Sequence, residues 1–268
     1  MLKDITYGQY YESGSVIHRI DARVKILLLI LIIVFIFISS NLFSILFSAL
    51  GIFTIILVSG VPFSLYAKNL KAILPILLIT FVINLFYGEG EALISFWKLS
   101  ITTGGLYRAF YMSLRIGLLI FISSALTYTT TPNDLTYAIE KLLSPLKYVG
   151  LQNAVHTLAM MMTIVLRFIP ILVEETQKIM NAQKARGADL ENGSLMRRIK
   201  ALIPILIPLL ISSIRHAYEL AEAMECRCYT GGEGRTRMKQ MRLTKIDFYS
   251  SCFAVFGCLI VILLNIIF

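Results

Sequence analysis

Apolar residues along the chain are gathered in long blocks rather than spread at a helical or strand period. Five blocks are each close to the roughly 20 residues that a helix needs to cross the hydrocarbon layer of a membrane. These blocks are residues 24–38, 42–58, 72–87, 106–127 and 246–268. Only Ser39, Ser40 and Asn41 separate the first block from the second, which indicates a tight helical hairpin. The pattern predicts five transmembrane helices.

The stretch from 128 to 245 contains two further apolar runs, at 154–173 and 202–214. The second run is short for a membrane span and contains Pro204 and Pro208. If both runs crossed the membrane, the basic segment between them would face outside, against the positive-inside rule. If the whole stretch stays inside, 22 of the 25 Lys and Arg residues lie on that side, Lys98 and Arg108 lie outside, and Arg115 lies within a span. The charges therefore predict a cytoplasmic N-terminus, five spans and an extracytoplasmic C-terminus.

The two runs then belong to long cytoplasmic helices. The first is predicted over 153–187 and the second over 195–228, as antiparallel arms joined by a turn that includes the polar break at 192–194. A shorter amphipathic helix is predicted at 133–147. The fold class is an all-α integral membrane protein with about five transmembrane helices and long cytoplasmic coupling helices arranged as paired arms. Residues 1–127 hold four spans, 128–245 the coupling-helix region and 246–268 the last span.

Composition and charge exclude several other classes of protein. The chain is 57% hydrophobic and 15% charged with a net charge of +9, and its basic residues flank apolar blocks instead of covering a soluble face that could bind nucleic acid. Its histidines stand apart, and it has no Walker A or Gly-x-Gly-x-x-Gly loop. Cys226 and Cys228 lack the further nearby ligands that a metal site needs. We expect no catalytic residues, no metal and no cofactor in this chain.

Few charged residues occur within the predicted spans. No Asp or Glu lies at depth, which disfavours a carrier driven by protons or sodium ions. Arg115 is the one deep charge, and Arg108, Tyr111 and Arg115 share one helical face by their spacing. Two interpretations of Arg115 stay open: it caps backbone carbonyls or reaches outward, or it contacts a partner or a substrate path together with Arg108.

Each arm ends in small residues around an arginine. The sequence is AQKARGA at 182–188 and AMECRCY at 223–229. Small flanking residues let another backbone approach closely, and the guanidinium fork suits two-point binding to a carboxylate or to helix-end carbonyls. A single ending of this kind is ordinary charge complementing the helix dipole. Two such endings on paired arms indicate two docking points, each of which inserts into one of two similar binding grooves, called sockets here.

At these residues the chain resembles the transmembrane T component of energy-coupling factor transporters, the micronutrient importers of prokaryotes. The mark of that family is a pair of Ala-Arg-Gly motifs at the ends of two coupling helices. Ala185, Arg186 and Gly187 match the motif, whereas Cys226, Arg227 and Cys228 keep only its arginine. Residues 15–25 (SVIHRIDARVK) and 129–146 (TTTPNDLTYAIEKLLSPL) are also similar to the family.

The resemblance implies a non-catalytic coupling subunit in the cell membrane. Two ATP-binding-cassette ATPases would hydrolyse ATP and receive the tips of the arms, centred on Arg186 and Arg227. A separate small membrane subunit would bind the vitamin or transition metal, and motion of the arms would reorient it. The alternatives are a channel or carrier acting alone, which calls for paired ionisable groups in the spans, and a membrane-embedded enzyme, which calls for clustered His, Asp or Glu.

Overall fold

The apolar blocks fold into helices, because a backbone surrounded by lipid must pair its own polar groups. The computed structural model describes residues 10–86, 92–96, 99–145, 152–188, 195–230 and 243–267. Its helices are α1 Val16–Arg19, α2 Ala22–Ile38, α3 Leu42–Ser59, α4 Phe63–Phe86, α5 Thr103–Thr129, α6 Pro132–Leu143, α7 Gln152–Ala185, α8 Leu195–Glu225 and α9 Lys245–Ile267. The predicted all-α class is confirmed. One small addition is an antiparallel hairpin of β1 Ala92–Phe96 and β2 Leu99–Thr102.

The chain divides into two compact units. One comprises Gly8–Ala138 with Lys239–Phe268 and is called here the membrane unit. The other includes Ile139–Met238 and is called the arm unit. The functional division at residues 128 and 245 stays a prediction.

Contacts at both ends of α2 fix the directions of its neighbours in the membrane unit. Near the start of α2, Lys25 Nζ donates to the Thr129 carbonyl at the end of α5, at 2.7 Å. Near its finish, Arg115 Nη2 donates to the Ser39 carbonyl at 2.6 Å. The helices α2 and α5 are therefore antiparallel.

Helix α9 runs parallel to α2. The amide of Asp21 donates to Asp247 Oδ1 at 2.8 Å, which joins the starts of the two helices. Asn265 Nδ2 donates to the Ile38 carbonyl at 2.9 Å, which joins their far ends. The start of α9 and the end of α5 consequently lie at the same end of the membrane unit as the start of α2.

A close approach of α4 and α5 requires a glycine at position 105. A Cβ atom built there would lie 2.4 Å from the Leu85 carbonyl oxygen, which is far inside van der Waals contact. At the other end of the pair, Asn69 Nδ2 donates to Ser124 Oγ at 3.1 Å. The buried core of this unit contains mainly aliphatic and tyrosine side chains from α2 to α5, among them Ile36, Ile45, Ile52, Tyr66, Leu118 and Tyr128.

The bounds of the helices differ from the predicted blocks in places. Helix α4 begins at Phe63, nine residues before the predicted start of its block, and so includes Lys68 and Lys71. The predicted end points Tyr87, Lys147 and Phe268 lie outside the described residues, as does the break at 192–194.

Length and composition alone do not separate the arms from membrane spans. Six helices of the described chain are long and apolar enough to cross a membrane, namely α3, α4, α5, α9 and parts of both arms, Ala154–Ala185 and Lys200–Glu225. At 17 residues, α2 is slightly shorter than these. The argument that the second arm is too short to span is therefore wrong, because its apolar window extends past the run at 202–214. The charge argument for a cytoplasmic location is independent of length and stays a prediction.

Candidate functional site

The two arms of the arm unit are antiparallel, as predicted. Gln183 Nε2 donates to the Pro204 carbonyl at 3.5 Å near the end of α7 and the start of α8. Tyr229 Oη approaches Met160 Sδ at 2.9 Å, close to the end of α8 and the start of α7. Each arm therefore finishes beside the beginning of the other.

A polar contact joins the arms between these two points. Ser212 Oγ donates to Glu175 Oε1, and the other carboxylate oxygen of Glu175 lies 3.6 Å from His216 Nε2. The second ring nitrogen of His216 lies 3.3 Å from Glu219 Oε2. The apolar faces of the arms thus contain a cluster of polar side chains, in which Glu175 Oε1 accepts a hydrogen bond and Glu175 Oε2 does not.

The first tip is a helix end closed by glycine. Helix α7 ends at Ala185, and Gly187 adopts φ = 83°, the left-handed conformation that favours glycine. The amide of Gly187 donates to the Lys184 carbonyl at 3.0 Å, and the amide of Ala188 donates back to Gln183 at 3.0 Å. The bond that spans five residues is the mark of a Schellman ending. Arg186 lies immediately before the left-handed residue.

The second tip has the same backbone with a different residue at its key position. The amide of Cys228 donates to Glu225 at 2.9 Å, and the amide of Tyr229 donates back to Met224 at 3.1 Å. Cys228 adopts φ = 53° and is the one non-glycine residue with a positive φ in the part of the chain that the structure describes. Position by position, Arg227 matches Arg186 and Cys228 matches Gly187.

Both arginines are presented to the surroundings. All six tip residues are exposed: Ala185, Arg186, Gly187, Cys226, Arg227 and Cys228. Neither guanidinium makes a hydrogen bond or ion pair with another described residue. Since Tyr229 lies beside Met160, the two tips are separated by the length of α7 between Met160 and Arg186, roughly 40 Å at helical rise.

The chemistry of each tip is that of a free cation on a helix C-terminus. The unpaired carbonyls there carry partial negative charge, which the arginine complements. The guanidinium keeps its five donors available for a carboxylate or for carbonyls of another protein. Cys226 and Cys228 are free exposed thiols. Within the described ranges, no group of three His, Cys, Asp or Glu side chains could hold a metal ion.

Arg115 caps a helix end in the membrane unit. Its Nη2 atom donates to the Ser39 carbonyl and, at 2.7 Å, to Tyr111 Oη, and its guanidinium lies 4.8 Å from the Tyr111 ring centre. Of the two interpretations of Arg115, the structure shows carbonyl capping. Arg108 is exposed on the same helix. A contact of either arginine with a partner stays a prediction.

Sequence reasoning missed the way in which two separated stretches meet. Residues 15–25 and 129–146 are similar to the family, and a helix is predicted within the second stretch. No sequence pattern predicts that Lys25 Nζ donates to the Thr129 carbonyl and to Thr130 Oγ1, the latter at 3.3 Å. Asp247 joins the same end through the Asp21 amide. The available signal in the sequence was a lysine at the edge of an apolar block. An ammonium that packs against such a block requires hydrogen-bond acceptors nearby.

Comparison with known proteins identifies the family of this chain. Residues 13–238 match the family model described as "CbiQ: Cobalt transport protein". The chain is 50% identical over 262 residues, 97% of its length, to a protein of Clostridium kluyveri named "Energy-coupling factor transporter transmembrane protein EcfT", of which 96% is covered. Proteins of the same name from Thermosediminibacter oceani and Bacillus subtilis are 46% and 43% identical, each over 92% of this chain and 92% and 93% of their own lengths. Identity at this level over nearly the full length shows that the chain belongs to the CbiQ/EcfT family of energy-coupling factor transporter transmembrane proteins.

Proposed function

We propose that this chain is the coupling subunit of an ATP-driven micronutrient importer. Arg186 and Arg227 each dock on one of two ATP-binding-cassette ATPases, and the arms pass the motion of the ATPases to a small membrane subunit that binds a vitamin or a transition metal. The observation that supports this proposal is the pair of exposed arginines on helix ends of the same construction. The chain itself needs no cofactor, since the partners hydrolyse the ATP.

The likeness of the two tips favours two sockets of one kind. Both tips present an arginine just before a left-handed residue, with the same closing bond spanning five residues. A groove that fits one tip therefore fits the backbone of the other, and it must also accept the Cys228 side chain where Gly187 has none. With the tips roughly 40 Å apart, one small socket cannot hold both. Two similar or identical partner subunits meet this requirement.

An acidic socket suits this geometry. Charged hydrogen bonds between guanidinium and carboxylate are among the strongest in proteins, and their two-point form fixes orientation. Because neither arginine is paired with another described residue, docking sacrifices no internal ion pair. Docking thus makes new bonds at the cost of desolvating the two exposed side chains.

The proposed orientation brings the tips to the side of the membrane where ATP is available. Lys25, Thr129 and Asp247 lie at one end of the membrane unit, and 22 of the 25 Lys and Arg residues belong to that side in the five-span topology. The positive-inside rule assigns that end to the cytoplasm. The N-terminus and the stretch 128–245 are then cytoplasmic, and the C-terminus is extracytoplasmic.

The test is the double variant Arg186→Ala/Arg227→Ala, expressed with its ATPases and solubilised from membranes. Truncating one member of a docked charge pair costs about 2–5 kcal/mol, so each single variant should bind an ATPase about 30-fold or more weakly, and the double variant should lose both ATPases on purification. The control is Arg167→Ala/Arg215→Ala, which removes one exposed arginine from each arm away from its tip. Retention of both ATPases and full transport by the tip variant would contradict the proposal, as would equal loss in the control.

A further inference from the structure

A groove lies between α2, α3, α5 and α9 in the membrane unit, with a volume of about 530 Å³. Its lining is almost wholly apolar, as at Leu28, Ile55 and Val261. Two of its lining residues, Val58 and Phe253, are 53% and 72% exposed, so the groove opens at the side of the helices. Its volume is within the range of sites that bind small molecules.

The groove meets a polar cavity at one end. Lys25, Thr129 and Ile20 line both spaces. The polar cavity has a volume of about 210 Å³, and its other walls include Tyr10, His18, Arg19 and Asp134. The combined space therefore has a long apolar part and a short polar part, and it changes character near the start of α2.

Two cations, Lys25 and Arg19, line the polar cavity together with two carboxylates, and Arg19 is the charge left available for a ligand. Lys25 uses two of its three donors on Thr129 and Thr130, and the exposed Arg19 has no partner among the described residues. Asp21 Oδ2 accepts from Arg23 Nη2 at 2.6 Å, so its charge is paired, whereas Asp134 Oδ2 accepts only from the neutral Thr131 hydroxyl at 2.9 Å and its charge acts on Lys25. Burial acts to raise the pKa of Asp21, but the hydrogen bonds and charge of Arg23 outweigh it and hold the pKa below its usual value.

We propose that these two joined spaces bind one glycerophospholipid from the leaflet at this end of the helices. One acyl chain lies in the apolar groove, and the phosphate lies in the polar cavity between Arg19 and Lys25. The apolar groove opens at the side of the helices, where an acyl chain can enter it. The polar cavity at its end contains cations that suit the phosphate.

The apolar lining of the groove disfavours an extended peptide as its occupant. Such a peptide would bring backbone polar groups into a lining that offers them few partners, which is costly. An acyl chain has no polar groups that need partners.

Three glycines allow a test that leaves the helices intact. Gly51 and Gly257 line the groove, and Gly117 does not. A Cβ atom at any of the three meets no other atom within 4 Å, so each position accepts a side chain without a clash at Cβ. The variants Gly51→Leu and Gly257→Leu fill the groove, and Gly117→Leu is the matched control.

The measurement is the retention of lipid by the delipidated full-length chain in detergent. Phosphatidylglycerol, or a diacylglycerol with the same acyl chains, is added back and the bound molecules are counted by native mass spectrometry. We expect one tightly bound phospholipid per wild-type chain, about tenfold weaker binding in each groove variant because methylene contacts are lost, and wild-type binding in the control. The variant Arg19→Ala, a change of an exposed side chain, should weaken binding of the phospholipid about tenfold and leave diacylglycerol unaffected.

Three results would overturn the proposal. Unchanged retention in both groove variants means that the chain does not use the groove. Equal loss in Gly117→Leu means that the effect comes from adding bulk to any helix. Equal affinity of the wild-type chain for phosphatidylglycerol and for diacylglycerol means that no phosphate is recognised.

Discussion

Replacing Cys228 with glycine should tighten the end of the second arm. Cys228 adopts φ = 53°, and an L residue in the left-handed region costs roughly 1–2 kcal/mol. Glycine avoids that cost but gives up more conformational freedom on folding, by roughly 0.5–1 kcal/mol. The balance is a gain of about 1 kcal/mol for Cys228→Gly, which is a factor of about 5 in the equilibrium between the closed and the frayed tip.

Hydrogen exchange of one amide reports this equilibrium directly. The Tyr229 amide donates to the Met224 carbonyl at 3.1 Å only when the tip is closed. We expect it to exchange about fivefold more slowly in Cys228→Gly than in the wild-type chain. The reciprocal change at the first tip, Gly187→Ala, should make the Ala188 amide exchange at least about fivefold faster, because Gly187 adopts φ = 83°.

A control variant separates the effect of backbone conformation on exchange from the effect of removing a thiol. The amide of Cys226 donates to Glu222 at 2.9 Å, as in a continuing helix, so Cys226→Ala removes a thiol without changing a left-handed residue. Exchange at Tyr229 should be unaffected by that change. If Cys226→Ala slows exchange as much as Cys228→Gly does, or if Cys228→Gly has no effect, the reasoning from backbone conformation is refuted.

Two further predictions concern the membrane unit. Gly105→Ala should lower the free energy of unfolding in detergent by roughly 1–3 kcal/mol, since its Cβ would meet the Leu85 carbonyl at 2.4 Å; Gly117→Ala, which meets nothing within 4 Å, should not lower it. A protease site placed after Phe268 should be cleaved in intact cells by protease added outside, and protection there with cleavage only from the cytoplasmic face would contradict the five-span topology.

The sequence predicted which segments form helices better than where they begin. Apolar blocks identify membrane spans, because lipid accepts few charges. A helix continues past its apolar block, however, wherever its backbone amides and carbonyls continue to pair with each other. Helix α4 includes Lys68 and Lys71 for this reason, and long lysine side chains let their charges reach water. The hairpin β1–β2 was missed because each of its strands has only four or five residues, too few for a clear period.

The likeness of the two tips could be predicted only in part. Matching small-Arg-small endings place Arg186 and Arg227 at equivalent positions. The left-handed conformation of Cys228 could not be read from its residue type, because cysteine rarely adopts it. The partner of Arg115 depended on the packing of α2 against α5, which no local pattern contains. The sequence therefore left its two interpretations open.

The contact between Glu175 and Ser212 limits how the proposed coupling can work. It lies near the middle of α7 between Met160 and Arg186, so each tip is roughly 20 Å away. A slip of one arm along the other by one turn, about 5.4 Å, would separate this partly buried polar pair and leave Glu175 without its hydrogen-bond donor. Rotation about the same point keeps the pair together. Motion of the two docked ATPases should therefore change the crossing angle of the arms and not their register.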